Sequence, residues 1–163
     1  MLPILTVAVI ALLIAADQVI KIIVLNNLAP VGSIVVIDKF ISLTYVENTG
    51  AAFGSFHGYT AVLSVFTALV LAVGLIYLLS GKIKSKIAYW AAAVVIAGGT
   101  GNLIDRIFRG YVIDFIEPLF VKFAVFNFAD ILVTVGAFVL IFYLIYEMFK
   151  ESKDSKKEGA KDE

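Results

Sequence analysis

The sequence predicts an α-helical integral membrane protein in which four transmembrane helices carry a small extracytoplasmic β-sheet. Three observations predict it. Of the 163 residues 61% are hydrophobic, with mean hydropathy +1.01, against roughly 45–50% apolar content in soluble domains. Four apolar segments are each close to the ~20 residues that cross a bilayer core. Between the first two, Ile41, Leu43 and Tyr45 alternate with Ser42 and Thr44, the period-two pattern of a half-buried strand.

The first span, residues 2–25, is apolar until Asp17, Gln18 and Lys21 near its far end. It reads as a retained helix rather than a cleaved signal peptide, because no basic stretch precedes it and no site offers small residues at both recognition positions. Residues 26–58 hold the outer sheet: Val31 to Ile37 can pair with the alternating strand, in a segment punctuated by Pro30, Gly32, Gly50 and Gly54. The second span, 59–80, stops at Gly81. The loop that follows carries Lys82, Lys84 and Lys86 with no acid, and lysine-rich short loops stay in the cytoplasm. The third span covers 87–104 and the fourth 129–149. Both termini are therefore expected in the cytoplasm, with the sheet and the 106–127 connection on the outer side. Residues 1–150 form one membrane-embedded domain. The tail 151–163 has four basic and five acidic residues and is expected to be disordered and cytoplasmic.

Composition removes several classes of function. Thirteen basic residues balance thirteen acidic ones, so there is no footprint for nucleic acid. With no cysteine and one histidine, His57, thiol catalysis, disulfides and zinc sites built on several His or Cys ligands are excluded. No metal or cofactor is expected, and hydrolytic chemistry would rest on carboxylates, hydroxyls or lysine.

The polar residues concentrate between Gly98 and Asp130, in GGTGNLIDRIFRGYVIDFI and then FNFAD. A charge at bilayer depth costs about 2.5–3.5 kcal/mol on insertion scales, so acids there face a protein interior and have a task. Asp114 and Asp130 are sixteen residues apart, too far for one helical face, yet the topology brings both to the outer membrane surface. Two carboxylates sharing a site hold one proton between them: the ionised member can take a proton from water while the protonated one polarises a carbonyl. The alternative is that Asp130 caps the fourth helix and Asp114 is an interfacial charge. Arg106 can neutralise an aspartate or bind a lipid phosphate, or form a salt bridge with Asp105. Asn102 and Asn127 can orient a carboxylate or satisfy backbone groups at helix ends. Gly98, Gly99 and Gly101 suit helix contact. Asp17 and Lys21, four apart on one helical face, read first as an ion pair near the outer interface. ENTGAAFG, with Asn48, Gly50 and Gly54, reads as a tight turn that binds substrate backbone or closes a hairpin. His57 has no second ligand nearby in sequence and reads as interfacial.

Four blocks in order, DQVIK (17–21), ENTGAAFG (47–54), GNLIDRIFRGYVIDFI (101–116) and FNFAD (126–130), resemble the lipoprotein signal peptidases, the type II signal peptidases of bacteria. The resemblance covers nearly all of the chain apart from the tail. It implies a membrane aspartyl endopeptidase of the bacterial cytoplasmic membrane, with its site at the outer face. Asp114 and Asp130 match the family's catalytic dyad; Asn102, Asp105, Arg106 and Asn127 match the polar residues around it. Asp17, Lys21, Asn48 and Gly50 match positions that support fold and substrate. The implied substrate is a prolipoprotein whose lipobox cysteine bears diacylglycerol, cut on the amino side of that cysteine, and the implied inhibitors are globomycin-type cyclic peptides. A substrate that is half signal helix and half lipid reaches such a site by lateral diffusion among membrane lipids. The competing classes are a small ion-coupled transporter, which would use the same acids as carriers but predicts repeated halves that the sequence lacks, and a non-catalytic assembly subunit.

Overall fold

The computed structural model describes residues 2–50 and 60–159. In chain order these are α1 (Leu2–Asn27), β1 (Ser33–Ile37), β2 (Ile41–Asn48), α2 (Thr60–Leu79), α3 (Lys86–Phe108), β3 (Val112–Pro118) and α4 (Phe128–Gly159). All four helices are long and apolar enough to cross a membrane, which bears out the expected fold class. Gly54 and His57 lie outside the described residues.

Helix α3 is the hub of the bundle. Its most apolar stretch is 56% buried, against 22%, 6% and 11% for α1, α2 and α4. The sequence explains this, because Ala91, Ala92, Ala93, Ala97, Gly98, Gly99 and Gly101 along α3 are small enough for neighbouring elements to approach closely. A Cβ on Gly98 would run into the carbonyl oxygen of Ala129, and one on Gly101 would stand 2.5 Å from the Asp17 carboxylate. Around α3, Ile10, Leu78, Tyr89, Ala93, Ile96 and Ala97 form the apolar core of the bundle.

Two boundaries differ from those expected. Helix α3 continues four residues past 104, capped at its start by the Ser85 hydroxyl on Ala88 N–H and ended by Gly110 at φ +82°. Asp105 and Arg106 are thus in its last turns, so Arg106 belongs to the helix and not to the connection that follows; there Asp105 meets Lys21 and Arg109, and Arg106 reaches the Gly50 carbonyl. Helix α4 runs on to Gly159, so the backbone of the tail expected to be disordered is helical that far; Glu and Lys are good helix formers and nothing breaks the helix before Gly159.

The sheet is antiparallel in the order β1-β2-β3. The expected strands are present, and a third, β3, lies in the segment read from sequence as a plain connection. Asp114 is opposite Val46 and Val112 opposite Asn48, so side chains of alternate residues bring Asn48 and Asp114 to one face. On the other face Ile113 and Phe115 pack with Val24 and Leu28 at the end of α1. After β3 the chain turns back, and Phe126 bridges to Ile116 through N–H donated in both directions at 2.8 and 3.0 Å. This hairpin-like return carries the start of α4 to the flank of Asp114.

Candidate active site

Asn127 joins the two carboxylates. Its Nδ2 donates to Asp114 Oδ1 at 2.6 Å and to Asn102 Oδ1 at 3.0 Å, while its backbone N–H donates to Asp130 Oδ2 at 3.0 Å. In return Asp130 N–H donates to Asn127 Oδ1 at 2.9 Å. That reciprocal pattern is a capping box at the start of α4. Asp130 therefore caps its helix and also lines the same cavity as Asp114.

Each carboxylate has a further donor. Asn48 Nδ2 reaches Asp114 Oδ2 at 2.9 Å, and Asn102 Nδ2 reaches Asp130 Oδ1 at 2.7 Å. Asp114 is 2% exposed, and Asp130 half-buried. Burial pushes the Asp114 carboxyl up to about 6; the nearby Asp130 charge adds to the rise, and the Asn48 and Asn127 amides oppose it.

Behind the pair lies a closed polar layer. Lys21 Nζ donates to Asp17 Oδ2, Asp105 Oδ2 and Asn102 Oδ1, each at 2.9 Å, and its side chain has no exposed surface. Asp105 also takes Arg109 at 2.6 Å, and Asp17 Oδ1 accepts Ala129 N–H at 3.1 Å. Gln18 Nε2 links Asp17, Asp105 and the Gly101 carbonyl. The expected Asp17–Lys21 pair is present, and both side chains are buried. Of the alternatives for Arg106, the salt bridge with Asp105 is not formed; Asp105 pairs with Arg109 instead, since side chains one apart on a helix diverge while those four apart meet. Arg106 instead donates to the Gly50 carbonyl at 3.1 Å, and its buried Nε has no partner among the described residues. Gly50 N–H closes a turn on Asn48 Oδ1 at 3.0 Å.

Gln18 and Arg109 were not singled out as site residues from sequence, although the four-residue spacing of Asp105 and Arg109 carried that signal. The other ten candidates, Asp17, Lys21, Asn48, Gly50, Asn102, Asp105, Arg106, Asp114, Asn127 and Asp130, come together in one connected network. The network opens into a cavity of about 560 Å³ whose polar end holds Asp114, Asp130 and Arg106 and whose wall is apolar, with Phe123, Phe126 and Ile131. That size suits a small ligand or a peptide side chain with attached lipid. Among the described residues no cluster of three His, Cys, Asp or Glu side chains could hold a metal ion.

Fold and site define a multi-pass membrane protein with a carboxylate-bearing cavity. Two solved structures, each described as a bacterial membrane enzyme structure by the in meso method, superpose with TM-scores of 0.75 and 0.71, both at 30% identity. They cover 88% and 85% of this chain, and 88% and 91% of their own. A family model described as signal peptidase (SPase) II matches residues 9–146. The lipoprotein signal peptidase of Clostridium acetobutylicum is 41% identical over 154 residues, covering 93% of this chain and 96% of that protein. The one from Clostridioides difficile is 41% identical over 145 residues, covering 89% and 95%. The chain belongs to the signal peptidase II family, and is a peptidase.

Proposed function

We propose that this chain removes the signal peptide from diacylglyceryl-modified prolipoproteins, using Asp114 and Asp130 as a water-activating pair. The observation that carries the reading is the pair itself: two carboxylates bonded to one asparagine at the polar end of an apolar cavity. The ionised member takes a proton from water as the oxygen attacks the scissile carbonyl. The protonated member donates to the carbonyl oxygen, and the tetrahedral intermediate collapses as a proton passes to the leaving amide nitrogen. Arg106 balances the single negative charge of the pair. The apolar wall gives acyl chains a place, at about 0.8 kcal/mol per buried methylene. The lysines of the α2–α3 loop set the orientation: termini in the cytoplasm, site at the outer face.

Purified protein in detergent is expected to cleave a diacylglyceryl-modified prolipoprotein on the amino side of the lipidated cysteine, read by mass spectrometry of both products. Cleavage elsewhere, or equal cleavage of the unmodified precursor, would remove the lipid from the recognition step.

The pair needs one proton, so kcat/KM declines at low pH, where both carboxyls are protonated, and at high pH, where both are ionised. The alkaline limb belongs to Asp114, which burial raises to about 6. Asn48 donates to the ionised form of Asp114 and so favours it. Asn48→Ala removes that preference, Asp114 keeps its proton to higher pH, and the limb moves up by about one unit. A pH profile of kcat/KM with an unmoved limb would take Asp114 out of the acid role.

A further inference from the structure

A second recess lies between α3 and α4, toward the α2–α3 loop and away from the aspartates. It is an open groove of about 420 Å³ with Trp90 on the α3 side, Val135, Gly136 and Val139 on the α4 side, and Lys86 at its mouth. A Cβ on Gly136 would stand 2.9 Å from the Ala91 carbonyl oxygen, so the two helices touch here and close the groove from behind. Apart from Lys86, the side chains that line it are apolar.

The mouth is strongly positive. Lys82, Lys84 and Lys86 are exposed, in a loop that has no acid. Among the described residues the salt bridges are those of Lys21 and Arg109, so no carboxylate neutralises the three loop lysines. Trp90 is half-buried and four residues into α3, roughly 6 Å deeper than Lys86 at 1.5 Å per residue. Along the groove the order is ammonium, indole, aliphatic wall. That is the order of phosphate, interface and acyl chain within one leaflet.

Two kinds of apolar chain could lie in such a groove: a lipid acyl chain, or the signal helix of a substrate. A signal peptide begins with a basic segment on the cytoplasmic side, which the three lysines would repel. A lipid phosphate is attracted by the same charges, and basic pockets between membrane helices on that side suit anionic headgroups.

We propose that this groove binds an anionic phospholipid of the leaflet that meets the α2–α3 loop, with its phosphate on Lys86, Lys84 and Lys82 and one acyl chain along Trp90 and Val139. In the orientation proposed above this is the cytoplasmic leaflet, and the preference for lipid over signal helix rests on that orientation. Val135 lines both this groove and the active-site cavity, so the bound chain lies against a wall that the two recesses share.

Trp90 is the single tryptophan of the chain, so its fluorescence reports on this groove. The full chain is placed in phosphatidylcholine bilayers that contain increasing amounts of either phosphatidylglycerol or phosphatidylcholine brominated on the acyl chains, which quench indole on contact. Half-maximal quenching by brominated phosphatidylglycerol is expected at a mole fraction lower by about fivefold or more, the effect of at least one basic residue near the surface. The triple variant Lys82→Gln/Lys84→Gln/Lys86→Gln should bring the two curves together, and Val139→Phe, which narrows the groove, should also remove the advantage. Equal quenching by the two lipids in the native chain overturns the proposal without any variant, and so does an advantage that survives the triple variant. Relief of the quenching by a diacylglyceryl-modified prolipoprotein would place the substrate in the groove and overturn it as well. The probe lipid occupies both leaflets and no cleavage is read, so failure of the peptidase reading or of the orientation would show in other measurements and leave this one intact.

Discussion

Asp114→Asn and Asp130→Asn are each expected to lower kcat by about 10²–10⁴-fold, the contribution typical of a positioned general acid or base, with folding and substrate binding retained. Asparagine keeps the size of the side chain and most of its hydrogen bonding. At Asp130 the backbone N–H that caps α4 through Asn127 is untouched, so the helix start survives and the loss reports on proton transfer. At Asp114 an amide offers one acceptor oxygen instead of two, so either the Asn48 or the Asn127 donor loses its partner; that lowers stability by about 1–3 kcal/mol, while the strand stays held by its own ladder. Because the two groups share one proton, the double variant should be no worse than the poorer single one. Cleavage assays alongside thermal unfolding check this, and native-like turnover in either variant would remove that aspartate from the mechanism.

Lys21→Met is expected to have the largest effect on stability. Its ammonium is the shared counter-charge of Asp17 and Asp105, both fully buried. Removing one member of a buried ionic cluster costs about 3–5 kcal/mol, because a charge is left without compensation. Methionine fills the space, so packing is nearly conserved and the loss is electrostatic. Thermal unfolding in detergent should show a large fall in Tm for Lys21→Met and substantial recovery when Asp17→Asn is added. Equal losses in the single and double variants would mean that the network is held by shape rather than charge.

Much of this arrangement was legible in the sequence because membrane-crossing chains make polar residues conspicuous. Asp17, Lys21, Asn102, Asp105 and Asn127 stood out against apolar surroundings, and all of them lie in the observed network. Topology and the family resemblance both put Asp114 and Asp130 together; in the structure both accept from Asn127 and line one cavity, and the return of Phe126 against Ile116 carries Asn127 there. Strand β3 was hidden because Val112 to Phe115 are covered on both faces, which erases the alternation that revealed β2. Gly110 before it and Pro118 at its end were the available signal. Pairing within the polar layer was partly hidden as well. Adjacency in sequence suggested Asp105 with Arg106, whereas helical geometry selects Arg109, and Arg106 is free to reach across to Gly50. That Lys21 serves three acceptors at once depends on the close approach of α1 to α3, which Gly101 allows and no single segment encodes.

The central claim is that the aspartate pair activates water directly on the substrate carbonyl. A single turnover in ¹⁸O-labelled water, followed by mass spectrometry of the released signal peptide and of the enzyme fragments containing Asp114 and Asp130, tests it most directly. One heavy oxygen in the new peptide carboxyl and none in either aspartate is the expected result. Label in Asp114 or Asp130, with an unlabelled peptide, would mean that a carboxylate had attacked the carbonyl itself, and would contradict the account.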